Sequence, residues 1–342
     1  MGGDNAPETT VAGALRAARE LPCEIVLIGD QDAIAQQLNR YRTRPSNLSI
    51  LHAPEVIGMD ESPVASVRKK RRSSINVGME DLREGRVDAF VSAGNTGAVV
   101  SAGTLLLGLL PGAERPGIAI LLPGIRQETL LIDVGANIAP KPAHLLQYAL
   151  MGEAYMRFVL ERERPRVGLL NVGEEETKGT EFIRETYEML ERAGVNFTGN
   201  AEGRDIFLGT FDVIVCDGFV GNVALKTSEG LARMMGDFLK EEYTRGPLRR
   251  LAALVSLPVI KAFRRRLDHR RYNGATLLGL RGIVVKSHGS ADRLAFATAL
   301  ARADAEVSHG LNERIAAEIA RLHGLGVLAG STRPSGPTEV SA

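Results

Sequence analysis

The chain has 342 residues, 44% of them hydrophobic and 24% charged, with no Trp and a formal net charge of +1. That composition excludes a disordered chain, and the balanced charge excludes a global field drawing the molecule to nucleic acid. The two cysteines, Cys23 and Cys216, stand too far apart in apolar runs for a disulfide framework or a metal cluster. No N-terminal signal segment and no apolar stretch of membrane-spanning length is present, so the expected setting is the cytoplasm.

In chain order, Met1-Gly2-Gly3-Asp4-Asn5-Ala6-Pro7 reads as a Gly-rich turn opening a helix at about Pro7. Such turns hang from strand ends, and an apolar strand is therefore expected upstream of it. Aliphatic runs at 24–28, 48–52, 87–91, 166–172, 211–216 and 282–286 read as strands, and helix-period segments follow most of them. The alternation predicts an α/β fold with a parallel sheet wrapped by helices. Runs 117–122 and 129–134 are joined by a turn too short for a crossover helix, so they should pair antiparallel and make the sheet mixed. One catalytic domain is expected over 1–323, with a basic amphipathic hairpin inserted at 244–273 and a flexible tail at 324–342.

Four strand-to-helix junctions share one loop type, rich in Gly, Asn and Ser: 92–97, 171–179, 217–222 and 287–290. Each can aim unpaired backbone N–H groups at an anion, and four converging on one cleft would suit phosphate chemistry. The first offers Gly94, Asn95, Thr96 and Gly97. The second offers Asn171, Gly173 and Lys178, a lysine able either to clamp a phosphate or to pair with Glu174, Glu175 or Glu176. In the third, Asp217, Gly218 and Gly221 precede Asn222, which is either a donor to the reacting group or a helix cap, and Lys226 follows one turn later. The fourth is Ser287-His288-Gly289-Ser290, where His288 either protonates a leaving group or, as the preferred reading, caps the next helix.

Other chemistries find little support. The glycines at 92–97 do not fit a dinucleotide fingerprint, the Walker pattern and a GxSxG elbow are missing, and no HExxH, CxxC or paired-His spacing occurs. Neither cofactor nor metal is expected, and Cys216 reads as a buried structural thiol. What remains is a site that positions an external nucleophile.

Two basic clusters stand apart. Arg68, Lys69, Lys70, Arg71 and Arg72 follow a short helical segment and form either a dock for an acidic partner or a solvated face. From 248 to 272 there are eight Arg or Lys against one acid, Asp268, while Leu248, Leu251, Ala252, Val255, Val259, Ala262 and Phe263 recur at helical spacing across a break at Pro258. Leu251, Leu254, Val255 and Phe263 with Arg264 and Arg265 would suit an anionic membrane surface, and a dimer contact or core helix pair is the other reading.

At Met1–Asp4, 91–98, 133–137, 168–175 with Lys178 and Gly179, 199–205, 216–226 and 287–290, in collinear order, the sequence resembles the bacterial phosphate acyltransferases called PlsX. The resemblance implies a three-layer α/β/α fold with a mostly parallel mixed sheet, similar to isocitrate and isopropylmalate dehydrogenases and to phosphotransacetylase, as a homodimer. It implies transfer of an acyl group from acyl carrier protein to inorganic phosphate, with the acyl phosphate passed to a membrane glycerol-3-phosphate acyltransferase. Lys178, Asn222 and His288 would then carry the chemistry. Phosphate and thioester would meet Gly3, Asp4, Gly94, Asn95, Thr96, Gly97, Asn137, Asn171, Gly173, Asp217, Gly218, Gly221, Ser287 and Ser290. The family normally has a short apolar strand before Met-Gly-Gly-Asp, which this sequence lacks. The rival readings are a short-chain phosphotransacetylase acting on acyl-CoA, a nicotinamide-dependent hydroxyacid dehydrogenase and a non-catalytic lipid-binding protein.

Overall fold

The aliphatic runs fold into strands buried on both faces, so helices must cover the sheet from two sides. The structure is a computed structural model that describes residues 1–266 and 268–324, apart from the side chains of Arg264 and His269. The tail beyond Gly324 lies outside the described residues. The elements run α1 (Glu8–Glu20), β1 (Ile25–Gly29), α2 (Gln31–Leu38), β2 (Leu48–His52), α3 (Pro63–Lys69), α4 (Ser74–Arg83), β3 (Ala89–Ser92) and α5 (Thr96–Ala102), which continues as a π-helical turn. Then come β4 (Gly117–Leu122), β5 (Thr129–Ile132), α6 (Pro142–Phe158), β6 (Val167–Leu170), α7 (Glu181–Arg192), β7 (Phe197–Ala201), α8 (Asp205–Leu208) and β8 (Val213–Val215). The last part holds α9 (Gly218–Thr244), α10 (Pro247–Val255), α11 (Leu257–Arg266), β9 (Ala275–Leu278), β10 (Ile283–Lys286), α12 (Arg293–Ser308) and α13 (Leu311–Gly324).

An eight-stranded sheet has the order β3-β10-β9-β4-β5-β8-β6-β7, and β1 with β2 forms a second, two-stranded sheet. Five of the eight strand pairings are parallel, and β4 pairs with β5 antiparallel as the short turn required. On one face β8 buries Val213 and Val215 with α6, α7, α12 and α13, and on the other it buries Ile214 with α4, α5 and α8. The architecture is therefore a three-layer α/β/α fold with a mostly parallel mixed sheet.

Two strands had no clear sequence signal. β7 carries Thr198, Gly199 and Asn200 at the sheet edge with an irregular register against β6, and β9 is a four-residue strand directly after the basic hairpin. Pairing partners rather than propensity make them strands.

The strand directions matter for the site. β3, β10 and β4 run one way, while β9, β5, β8, β6 and β7 run the other. The loops after β3 and β10 consequently leave one edge of the sheet, and those after β5, β8 and β6 leave the opposite edge. A four-residue strand spans only about 13 Å, so the two edges stay within reach of a side chain carried on a helix.

Between the edges of β1 and β3 lies a cavity of about 470 Å³, lined by residues such as Ile25, Leu27, Ala89, Val91 and Phe296, with Met1 beside it. Neither edge has a strand partner there among the described residues. The buried Met1 ammonium donates to the Ile28 carbonyl at 3.0 Å, and burial lowers it to about 6. The Met1–Asp4 turn is held instead by Asp4 N–H donating to the Gly289 carbonyl at 2.8 Å.

Candidate active site

Most of the polar side chains marked by sequence turn out to build the loops rather than face a ligand. The Asn95 carboxamide is buried: its Oδ1 accepts from Ala98 N at 3.0 Å to cap α5, and its Nδ2 donates to the carbonyls of Gly58, Met59 and Glu61. It has nothing left for phosphate, so this loop presents Thr96 and backbone N–H groups. Asn137 donates to Pro116 O and to the Tyr148 hydroxyl, both at 2.6 Å, and Asn171 closes its own loop by donating to Lys178 O at 3.2 Å.

α9 begins at Gly218 because Asp217, not Asn222, caps it, accepting from Phe219 N and Val220 N at 2.9 Å each. Asn222 instead donates from its second turn to Val134 O at 3.2 Å, which ties α9 to the loop after β5. That loop is folded around Asp133, whose buried carboxylate accepts from the N–H groups of Ile118, Gly135, Ala136 and Asn137. Burial outweighs those bonds and raises the Asp133 pKa. Gly218 N–H donates to Asn137 O at 2.8 Å, and Gly221 packs against the Asp133 carbonyl so closely that a Cβ would lie 1.9 Å from its oxygen.

α12 is capped by Asp292, accepting from Leu294 N and Ala295 N, which corrects the preferred reading of His288 as a cap. The His288 backbone N–H donates to Asn273 Oδ1 at 3.1 Å, and Asn273 also donates to Ser287 Oγ at 2.7 Å. The His288 ring is left exposed, with Nδ1 3.2 Å from the donating Ser290 N–H and 2.8 Å from Ser290 Oγ. These partners assign the ring proton to Nε2. Burial, then nearby Lys226, lowers its pKa, which favours the neutral imidazole.

The decisive contact joins the two sheet edges. Lys226, one turn beyond Asn222 on α9, places Nζ 3.4 Å from His288 Nε2. With the ring proton on Nε2 both atoms are donors, and an anion lying beside the pair would satisfy both. Lys226 also pairs with Glu229 at 2.8 Å on the solvent side. Thus α9 brings the groups at Met1–Asp4, 92–97 and 287–290 against those at 133–137 and 217–222. Gly3 and Gly289 meet there at close range, and the Asp4 carboxylate lies beside Gly289.

The loop of Lys178 remains separate. Its chain is fastened by Asn200 donating to Glu175 O at 3.1 Å, by the Arg204–Glu174 ion pair at 2.7 Å and by Tyr187 donating to Glu176. Lys178 itself is exposed, its stem beside Gly173, and no contact with Lys226, Asn222 or His288 is recorded among the described residues.

Sequence reasoning missed Lys286. It sits at the end of β10, paired with Ser92 of β3 and Ala275 of β9, and is only 7% exposed. The available signal was a lysine closing an otherwise aliphatic strand immediately before the Ser-His-Gly-Ser turn.

Of the basic clusters, Lys70 is engaged by Glu61 and donates to Val56 O at 2.7 Å, and it holds the Glu61 carboxyl down to about 2. Arg68, Lys69, Arg71 and Arg72 are exposed. In the hairpin, Leu251, Leu254 and Val255 are 61%, 67% and 78% exposed and Phe263 is 41% exposed, which excludes a core helix pair within this chain. Arg265 is exposed, and the Arg264 side chain lies outside the described ones. No helix among the described residues is long and apolar enough to cross a membrane.

The three-layer arrangement around a mostly parallel mixed sheet defines the chain as an α/β/α protein. Solved structures share it: a phosphotransacetylase from Streptococcus pyogenes (TM-score 0.60, 17% identity, 89% of this chain and 92% of that one) and the EutD phosphotransacetylase from Staphylococcus aureus (0.58, 15%, 90% and 95%). A branched-chain phosphotransacylase from Enterococcus faecalis is similar at 0.54, with 13% identity over 90% and 96% of the two chains. The model of the fatty acid synthesis protein family matches residues 1–314, and the chain belongs to that family, the PlsX family. Family and shared fold together support a phosphate acyltransferase.

Proposed function

We propose that this protein transfers a long-chain acyl group from acyl carrier protein to inorganic phosphate. The observation that carries the reading is the pair of donors, Lys226 Nζ and His288 Nε2, facing each other where the loops of the two sheet edges meet. A hydrogen phosphate oxygen attacks the thioester carbonyl carbon, a C–O bond forms, and the tetrahedral oxyanion collapses with cleavage of the C–S bond. The proton that phosphate brought ends on the departing sulfur, so the products are an acyl phosphate and the free carrier thiol. Lys226 and the imidazole N–H stabilise the charge that develops, the kind of contribution that dominates acyl transfer. A thiolate leaves readily, so a strong general acid is not required.

Residues 1–323 act as one catalytic domain in this reading, with the hairpin as its insert. The carrier, an acidic protein, docks on Arg68, Lys69, Arg71 and Arg72, with Lys70 held by Glu61. The exposed apolar side chains of α10 and α11 lie on the inner face of the cell membrane, where a membrane acyltransferase takes the acyl phosphate. The exposed Leu231, Met234, Met235 and Phe238 of α9 fit a homodimer contact.

The direct test mixes pure protein with long-chain acyl carrier protein and phosphate and follows acyl phosphate by mass spectrometry. Turnover of acetyl-CoA in place of the acyl carrier would move the assignment to a short-chain phosphotransacetylase. Lys178→Ala should leave turnover and melting temperature near wild type, because its exposed loop stands apart from the Lys226–His288 junction, and a loss of turnover of about tenfold would bring that loop into the chemistry. Unchanged turnover would confine the chemistry to the Lys226 side. For the membrane, Leu254→Glu with Phe263→Glu should abolish flotation with anionic liposomes, and flotation that persists would remove the hairpin from the lipid surface.

A further inference from the structure

Lys286 is a buried ammonium without an ion-pair partner among the described residues. Its one recorded acceptor is the carbonyl of the next residue, Ser287, although an ammonium has three donors to satisfy. The side chain leaves the end of β10 at the turn that carries His288, and Lys226 and Asp4 are close enough to act on its charge. Burial, then Lys226, lowers it to about 8, against the pull of Asp4. A strand that is otherwise Ile-Val-Val would be better served here by another aliphatic residue, because an ammonium with so few partners is expensive to bury. The cost falls when an anion enters. The facing donors of Lys226 and His288, an independent observation, mark where that anion would lie.

We propose that Lys286 anchors the acceptor phosphate, gripping it from the sheet side while Lys226 and the His288 Nε2–H hold it from the α9 side. The proposal rests on the acyl-transfer reading of the site and adds to it the residue that binds the nucleophile. Two ammonium groups and a neutral imidazole converge there; Glu229 already pairs with Lys226 at 2.8 Å, and the exposed Asp4 forms no ion pair with either lysine among the described residues, so the charge an entering anion neutralises is that of Lys286. Held so, phosphate meets the backbone N–H groups of the 92–97 turn and that of Gly289 on its remaining oxygens.

A purely structural lysine, serving only to tether the Ser287 carbonyl, is the competing role, and Lys286→Met separates the two. In the presence of inorganic phosphate the wild-type melting temperature should rise with concentration, as ligand linkage requires. In Lys286→Met that increment should vanish, while the melting temperature without phosphate stays equal or rises because a buried charge has gone. In the acyl-transfer assay the KM for phosphate should increase about 10–100-fold, as for one charge-assisted contact, with the KM for the acyl carrier within about twofold of wild type. Should Lys286→Met fail to fold, Lys286→Gln provides the same comparison with a polar side chain. A variant that keeps the phosphate increment and the phosphate KM would overturn the anchoring role and leave the acyl-transfer reading intact. A wild-type protein that shows the Lys286-dependent phosphate increment but no acyl transfer would do the reverse.

Discussion

Gly221→Ala is expected to give a protein that melts about 4 °C lower and transfers acyl groups at no more than about one hundredth of the wild-type rate. The added Cβ would lie 1.9 Å from the Asp133 carbonyl oxygen and 2.8 Å from Cys216 Sγ. The carbonyl belongs to a backbone held by the bonds that Asp133 itself accepts, so it cannot swing aside, and overpacking of this kind costs about 3 kcal/mol. Relief has to come from α9. Moving its first turns displaces Lys226, and a shift of about 1 Å at a positioning group costs about 10²-fold in rate. Gly230→Ala is the matched control. It lies in the same helix, its Cβ would meet nothing within 4 Å, and removing a mid-helix glycine should stabilise by up to about 1 kcal/mol with activity unchanged. Thermal melts and initial rates of the two variants check both halves.

Lys226→Met should lower turnover about 10²–10³-fold, in line with loss of one preorganised oxyanion donor, while the melting temperature moves little. The side chain is 53% exposed and its pair with Glu229 is a surface pair, worth at most about 1 kcal/mol. Lys226→Arg should recover part of the rate, since the charge is kept while the point contact with the reacting group is not. Wild-type turnover in Lys226→Met would take the anion away from the α9 junction altogether.

The fold was largely legible because both its periodicities were. Runs such as Ile283–Lys286 announced buried strands, and the tight link between Gly117–Leu122 and Thr129–Ile132 announced an antiparallel pair. Ala275–Leu278 was not legible, since four residues beside a basic hairpin become a strand only through the partners on either side. The site was legible as loops and misread as side chains. Asn95, Asn137 and Asn171 carry the right chemistry for holding an anion, and the structure uses all three to hold backbone. Sequence cannot count how many of an amide's bonds are already made. Lys286 escaped notice for the opposite reason: a lysine at a strand end reads as solvated until the neighbouring strands are seen to bury it.

α9 deserves to be considered as a mechanical part. Twenty-seven residues make a rod of about 40 Å, and only Gly218 and Gly221 of its length are buried in this chain. It is pinned at one end by Asp133 and Asn222, and at the other it leads into the exposed apolar side chains of α10. A rod clamped at a single end transmits torque to its clamp.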